Sequence, residues 1–181
     1  MSTQPLAGAR IAWTVRRAPL GRPHAGLLNA GGVVVPCRLG RSGVATRKRE
    51  GDGATPAGRL RVVGGWFRRE RTGLMSGAGW LRAIRPGLGW CDDPASPAYN
   101  RAVSLPFRAS HERLHRADAL YDICLVLDWN LFPRARGRGS AIFLHASRPG
   151  GGPTEGCVAL EPRLLRRMLP LFAGRTIRVV P

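Results

Sequence analysis

Ser140–Leu160 reads SAIFLHASRPGGGPTEGCVAL, and its pattern decides most of the fold. The run AIFLH is apolar almost throughout and short, as expected of a central strand buried on both faces. It delivers His145 at its end. A Gly/Pro-rich loop, Arg148–Pro153, follows, and the chain returns through Thr154-Glu155-Gly156-Cys157 into a second apolar stretch. Side chains at strand ends joined by a loop that folds back can meet in space, although His145 and Cys157 are twelve positions apart.

The same punctuation runs outward along the chain. Short strand candidates between Gly/Pro turns are Arg10–Val15, Gly32–Leu39, Arg59–Trp66, Leu81–Ile84, Leu120–Leu127, Ser140–His145 and Thr176–Val180. The run DICLVL within Leu120–Leu127 is a second strand expected to be buried on both faces. With 24 glycines and 15 prolines, turns are frequent and a mainly β architecture is favoured over a helix bundle. One helix is expected at Glu161–Phe172, where Leu164, Leu165, Met168 and Leu171 fall at helical spacing. Pro162 suits its first turn, Gly174 suits its stop, and Pro170 is a point where it can end early. A short helix is expected at Ser110–Asp118 with Ser110 as N-cap. Gly73–Arg108 holds Trp80, Trp90, Cys91, Asp92, Asp93 and several prolines. It reads as a long excursion from the sheet, either one wall of a cleft or a packed surface loop.

The 181 residues suit a single domain, and 44% apolar content provides for a core. Residues 1–8 read as a tail and 9–181 as the domain. Lys+Arg is 29 against Asp+Glu 11, a net charge of +18, and Lys48 is the single lysine. A field of this sign attracts polyanions, whether nucleic acid, anionic cell-wall polymer or lipid headgroups. The cysteines, Cys37, Cys91, Cys124 and Cys157, form no C-x-x-C pair. Cys37 and Cys124 lie in apolar runs and read as buried, inert thiols. The N-terminal stretch has no secretory pattern, and no apolar run reaches the length of a membrane span.

Chemistry explains the residue types around Cys157. A thiolate is the nucleophile, and a neighbouring imidazole can take the thiol proton and later return it to a leaving amine. Gly156 lets the backbone turn sharply beside the thiol, so that N–H groups around Cys157 can face a developing oxyanion. The Ala146 carbonyl is placed to hold the His145 tautomer, and no acidic partner is evident. Cys157 and His145 are the candidate catalytic residues, with Gly156 and Ala146 in oxyanion and orienting roles.

His145, a variable loop and Thr154-Glu155-Gly156-Cys157 resemble the signature of the YkuD-type L,D-transpeptidases. Lys48–Gly58 (KREGDGATPAG) is similar to the Thr-Pro-x-Gly turn of these domains. Leu127–Asn130 with Gly139-Ser140 leads into the histidine strand as in the family's shorter members. The resemblance spans about Arg10 to the C-terminus. It implies a β-sandwich of mixed strands with one C-terminal helix and short additional helices. It also implies a cysteine enzyme acting on the tetrapeptide stems of peptidoglycan through a thioester, open to carbapenem acylation, with no metal or organic cofactor. Such an enzyme is expected in the periplasm or cell wall, although no export signal is visible. Two positions depart from the fuller signature: Glu155 stands where many members have His, and Ala159 where many have Arg. The resemblance makes Thr154, Glu155 and the loop residue Arg148, as a substitute for that arginine, the candidate substrate contacts. The acceptor of the acyl group, an amine or water (an L,D-carboxypeptidase-like outcome), is therefore open.

Two rival classes exist. His111-Glu112-Arg113-Leu114-His115 matches H-E-x-x-H, which on a helix would offer two imidazoles to zinc with Glu112 as base. The charge alone would suit a nucleic-acid-binding module, but no helix-turn-helix, zinc-finger or RNA-recognition pattern supports one. Neither a metal nor a nucleic-acid partner is expected.

Overall fold

The computed structural model describes residues 12–73, 75 and 77–181. The tail 1–8, the domain start at residue 9 and the first two positions of the strand expected from Arg10 lie outside these residues.

The strands are β1 Trp13–Arg17, β2 Ala25–Ala30, β3 Val33–Arg38, β4 Val44–Ala45, β5 Thr55–Pro56, β6 Gly58–Phe67 and β7 Arg82–Ala83. They continue with β8 Leu88–Cys91, β9 Arg101–Ser104, β10 His111–Arg113, β11 Ile123–Leu127, β12 Phe143–Ala146, β13 Val158–Leu160 and β14 Thr176–Val180. Among the described residues two helices interrupt them, the single-turn α1 Arg69–Thr72 and α2 Pro162–Phe172. Eight strands run in the order β11-β12-β13-β3-β2-β1-β14-β6, and β6 pairs back onto β11. The expected mainly β layers are thus opposite walls of one barrel-like sheet. Closure needs a side-chain-free position: a Cβ on Gly65 would lie 2.3 Å from the Cys124 carbonyl oxygen across the β6–β11 seam.

Period-2 alternation explains how the walls face inward. Trp13 and Val15, Leu60 and Val62, and Ile177 and Val179 enter the barrel core, while Arg16, Arg59, Arg61 and Arg178 stay exposed. On β11, Ile123, Leu125 and Leu127 join that core, whereas Cys124 and Val126 join a second cluster with Trp90, Tyr121, Phe143 and Cys157. Both faces of β11 and β12 are buried, as their apolar runs predict.

Helix α2 starts where Glu161 accepts a hydrogen bond from the Leu164 amide at 2.8 Å, followed by Pro162 in the first turn. Leu165, Met168, Leu169 and Phe172 are its buried face. Leu171, expected on that face, is 51% exposed, and Pro170 does not end the helix early. The barrel wall selects the stripe one position away. Phe172 is fully buried, with its ring edge-on to Trp13 at 5.2 Å. Phe172→Ala is expected to cost about 3–5 kcal/mol, read from the urea midpoint; a cost below about 1 kcal/mol would show that α2 contributes little to the core.

The helix expected at Ser110–Asp118 is not formed. His111–Arg113 is a strand paired with β8, in the register His111 with Cys91 and Glu112 with Trp90. Leu114 is fully buried in the second cluster. Sheet pairing and this one apolar anchor override a weak local helix preference. The three-stranded sheet β10-β8-β9 is the excursion from the barrel, and it stands over β11 and β12 as a wall. β2 went unread in the sequence because Gly26 and Asn29 break its alternation; β8 and β9 went unread because their short runs sit among prolines.

Candidate active site

Strand β12 places Leu144 and Ala146 in the barrel and turns Phe143 and His145 toward the β8–β10 wall. The following loop is pinned at both ends, by Ser147 N–H to Leu160 O at 2.7 Å and by Thr154 N–H to Leu39 O at 2.9 Å. It therefore re-enters beside β12, and β13 runs parallel to it with His145 opposite Ala159 and Leu144 opposite Val158. This register sets Cys157 beside Phe143, on the face that carries His145. The Phe143 N–H points at Cys157 Sγ at 3.4 Å, and the thiol donates to the Ala141 carbonyl at 3.2 Å.

The turn before the cysteine depends on glycine. Gly156 has φ +137°, and a Cβ there would lie 2.9 Å from the Ala54 carbonyl oxygen. The Thr-Pro-x-Gly turn packs directly beneath it. Thr55 is fully buried, accepts from the Gly40 amide at 2.9 Å and donates to the Cys157 carbonyl at 3.3 Å. Thr154 donates to the same carbonyl at 2.7 Å and accepts from the Gly156 amide at 3.2 Å. Its hydroxyl thus has a geometric task in holding the turn.

His145 is 6% exposed, and its Nδ1 lies 2.8 Å from the Ala146 carbonyl oxygen. A carbonyl can only accept, so this contact places the proton on Nδ1 and leaves Nε2 as the basic nitrogen. Burial lowers the imidazole to about 4, with the Ala146 carbonyl opposing. Burial likewise pushes the Cys157 thiol up to about 12. The pair therefore rests as neutral thiol and neutral imidazole, so an attack by the sulfur would require its proton to move.

One cleft of about 780 Å³ is lined by His145, Cys157, Thr154, Arg148 and Glu155 together. Gly156 is buried behind the cysteine, and Ala146 faces the barrel while its carbonyl holds the ring. Arg148 is exposed at the rim; Glu155 is 79% exposed and ion-paired with Arg41. Glu112 lines the same cleft from β10 of the small sheet, and Tyr121 lines it from the barrel side, beside His145. Of the other thiols, Cys37 and Cys124 are buried and raised by desolvation, and Cys91 is buried within β8 away from the cleft lining; all four cysteines are free.

The H-E-x-x-H segment does not converge. His111 Nδ1 contacts the Ala109 carbonyl at 2.8 Å, Glu112 accepts from the Tyr121 hydroxyl at 2.6 Å, and His115 Nε2 lies 3.4 Å from Glu70. Zinc binding by this motif requires the helix that the strand replaces. Sequence reasoning also missed Asn100. Its side chain is 2% exposed, accepts from Trp90 Nε1 and from the Ala141 amide, each at 3.0 Å, and so fixes the residue whose carbonyl receives the Cys157 thiol. Ala141 has φ +52°, an uncommon conformation for which Asn100 supplies the support.

The model of the YkuD L,D-transpeptidase catalytic domain matches residues 26–179, and the chain belongs to that family. Comparison with curated proteins and with solved structures returned no match. Among the described residues no helix is long and apolar enough to cross a membrane.

Proposed function

We propose that this member of the L,D-transpeptidase family transfers acyl groups of peptidoglycan tetrapeptide stems through a thioester on Cys157. The observation that carries the proposal is that Cys157, immediately before β13, and His145, on the adjacent parallel strand β12, line one cleft, with Nδ1 committed to Ala146. Cys157 Sγ attacks the carbonyl that links the third-position diamino acid to the terminal D-alanine while His145 Nε2 takes the thiol proton. The Cys157 amide is assigned to the oxyanion; the Gly156 amide is engaged by Thr154. Collapse breaks the C–N bond, His145 returns the proton to the leaving amine, and D-alanine departs. An amine of a second stem then attacks the thioester, loses its proton to His145 and releases the thiol. The chemistry proposed needs no cofactor.

Arg148 at the rim is the group proposed for a stem carboxylate, and Glu155 remains a candidate contact despite its pairing with Arg41. The family's substrates lie in the cell wall or periplasm, where this reaction would take place. An anionic wall polymer is the proposed surface partner. Arg59 and Arg178 stand directly opposite each other on β6 and β14. Among the described residues no carboxylate lies within ion-pair distance of either. Such a like-charge pair is unfavourable until a polyanion covers it.

The expected result is release of D-alanine from tetrapeptide muropeptides and a stoichiometric mass increase with a carbapenem, both absent in Cys157→Ala. Turnover surviving that substitution would remove Cys157 from the chemistry. Free tripeptide as the sole product would make water the acceptor.

A further inference from the structure

We infer that Glu112 and Tyr121 are positioning residues for His145, so that the glutamate of the H-E-x-x-H segment acts through a tyrosine on the imidazole. This rests on the assignment of His145 as the base. The Ala146 carbonyl fixes one nitrogen of the ring but leaves its tilt about that bond free. The second constraint is Tyr121, whose ring meets the imidazole edge-on at 5.1 Å and 83°. Tyr121 is itself held on three further sides. Phe143, on the same face of β12, meets it edge-on at 5.9 Å, and the Arg116 guanidinium lies 5.4 Å from its ring centre. Its hydroxyl donates to Glu112 at 2.6 Å.

The Glu112 bond crosses between two bodies of the fold. Glu112 belongs to β10 of the small sheet, whereas Tyr121 leads into β11 of the barrel. The cleft wall is thereby tied to the face that carries the base. Burial pushes the Glu112 carboxyl above its usual range, with the Tyr121 hydrogen bond opposing. A carboxyl that is costly to bury would be replaced by an apolar side chain at little loss if packing were its only task. Its bond to the group that contacts the imidazole supplies the other task. Asp118 does not compete for Tyr121, because it is bonded to Arg116 Nε and Nη2 at 2.9 and 2.8 Å.

Three variants of the full chain test this: Glu112→Leu, Glu112→Gln and Tyr121→Phe. Each is assayed for D-alanine release and for the pH dependence of Cys157 alkylation by iodoacetamide, located by peptide mass. The expected result is a loss of kcat on the order of 10–100-fold in Glu112→Leu, with KM nearly unchanged. Glu112→Gln keeps an acceptor for the tyrosine hydroxyl and is expected to lose only about 3-fold. Tyr121→Phe keeps the ring packing and falls between the two. The His145-dependent limb of the alkylation profile weakens in the same order. Equal kcat and superimposable alkylation profiles in parent, Tyr121→Phe and Glu112→Leu would overturn the proposal, and Tyr121→Phe decides alone if Glu112→Leu does not fold. Equal losses in Glu112→Gln and Glu112→Leu would also overturn it, since the hydrogen-bond acceptor would then be irrelevant. Parent alkylation unaffected by His145→Ala would instead remove the base assignment, and the positioning role with it.

Discussion

His145→Ala is expected to lower the rate of D-alanine release by about a thousand-fold while Cys157 keeps its place. The thiol is pushed up to about 12 by burial, so almost none of it is ionised at neutral pH without a base. His145 is the proposed base, and Nε2 is its free nitrogen because Nδ1 is committed to Ala146. The proposed mechanism uses its neutral form. With the imidazole at about 4, kcat/KM falls only as pH drops through that value, well below the 6.5 of a free side chain. Stability follows the same linkage with a definite sign. The folded value lies below the unfolded one, so between pH 6.5 and about 4 the unfolded chain binds the proton first. Stability present above pH 6.5 is lost across that window, by about 3 kcal/mol at most, and levels off below it. Urea midpoints at pH 7 and pH 4.5 are expected to drop further in the parent than in His145→Ala. A parent acid limb near 6.5, or equal drops in the two proteins, would contradict a buried neutral imidazole.

Gly156→Ala is expected to inactivate the enzyme nearly as thoroughly through one methyl group. The residue occupies φ +137°, where an L side chain is strained by about 1–3 kcal/mol. The added carbon would also meet the Ala54 carbonyl oxygen at 2.9 Å, and that oxygen belongs to backbone locked by the Thr55 bonds to Gly40 and Cys157. The turn must yield, and Cys157 shifts with it. A displacement of about 1 Å at the proposed nucleophile is worth about 100-fold in rate. Urea titration and the rate of carbapenem adduct formation measure the two effects separately. A variant with parental midpoint and parental adduct rate would show that the turn tolerates a side chain and that Gly156 has no special role.

Much of the site was legible because its signals are local. His145, Gly156 and Cys157 stand in one stretch whose apolar runs announce strands, and the loop between them leaves few ways to close. The α2 helix was legible from its periodicity and from Glu161 and Pro162 at its start. The Ser110–Asp118 segment misled for the converse reason. Its local pattern fits a helix, but Leu114 and the β8 edge supply contacts from residues about twenty positions away, and they outweigh a preference worth tenths of a kcal/mol. Asn100 and Tyr121 carry no motif that marks them as parts of the site, and the Thr-Pro-x-Gly motif marks Thr55 as part of a turn without tying it to Cys157. Each acts through one hydrogen bond or one ring contact with a residue distant in sequence, such as the Thr55 bond to Cys157.

The sequence by itself determined a mainly β chain with a histidine strand, a glycine turn and a cysteine, because strand periodicity and turn chemistry are written in adjacent residues. Only the tertiary structure decided that the sheet closes through Gly65, that Cys157 and His145 rest buried and uncharged, and that Glu112 sits on a strand and accepts from the Tyr121 hydroxyl. Those outcomes depend on desolvation and on pairings between distant segments, whose energies exist only once the chain has folded around them.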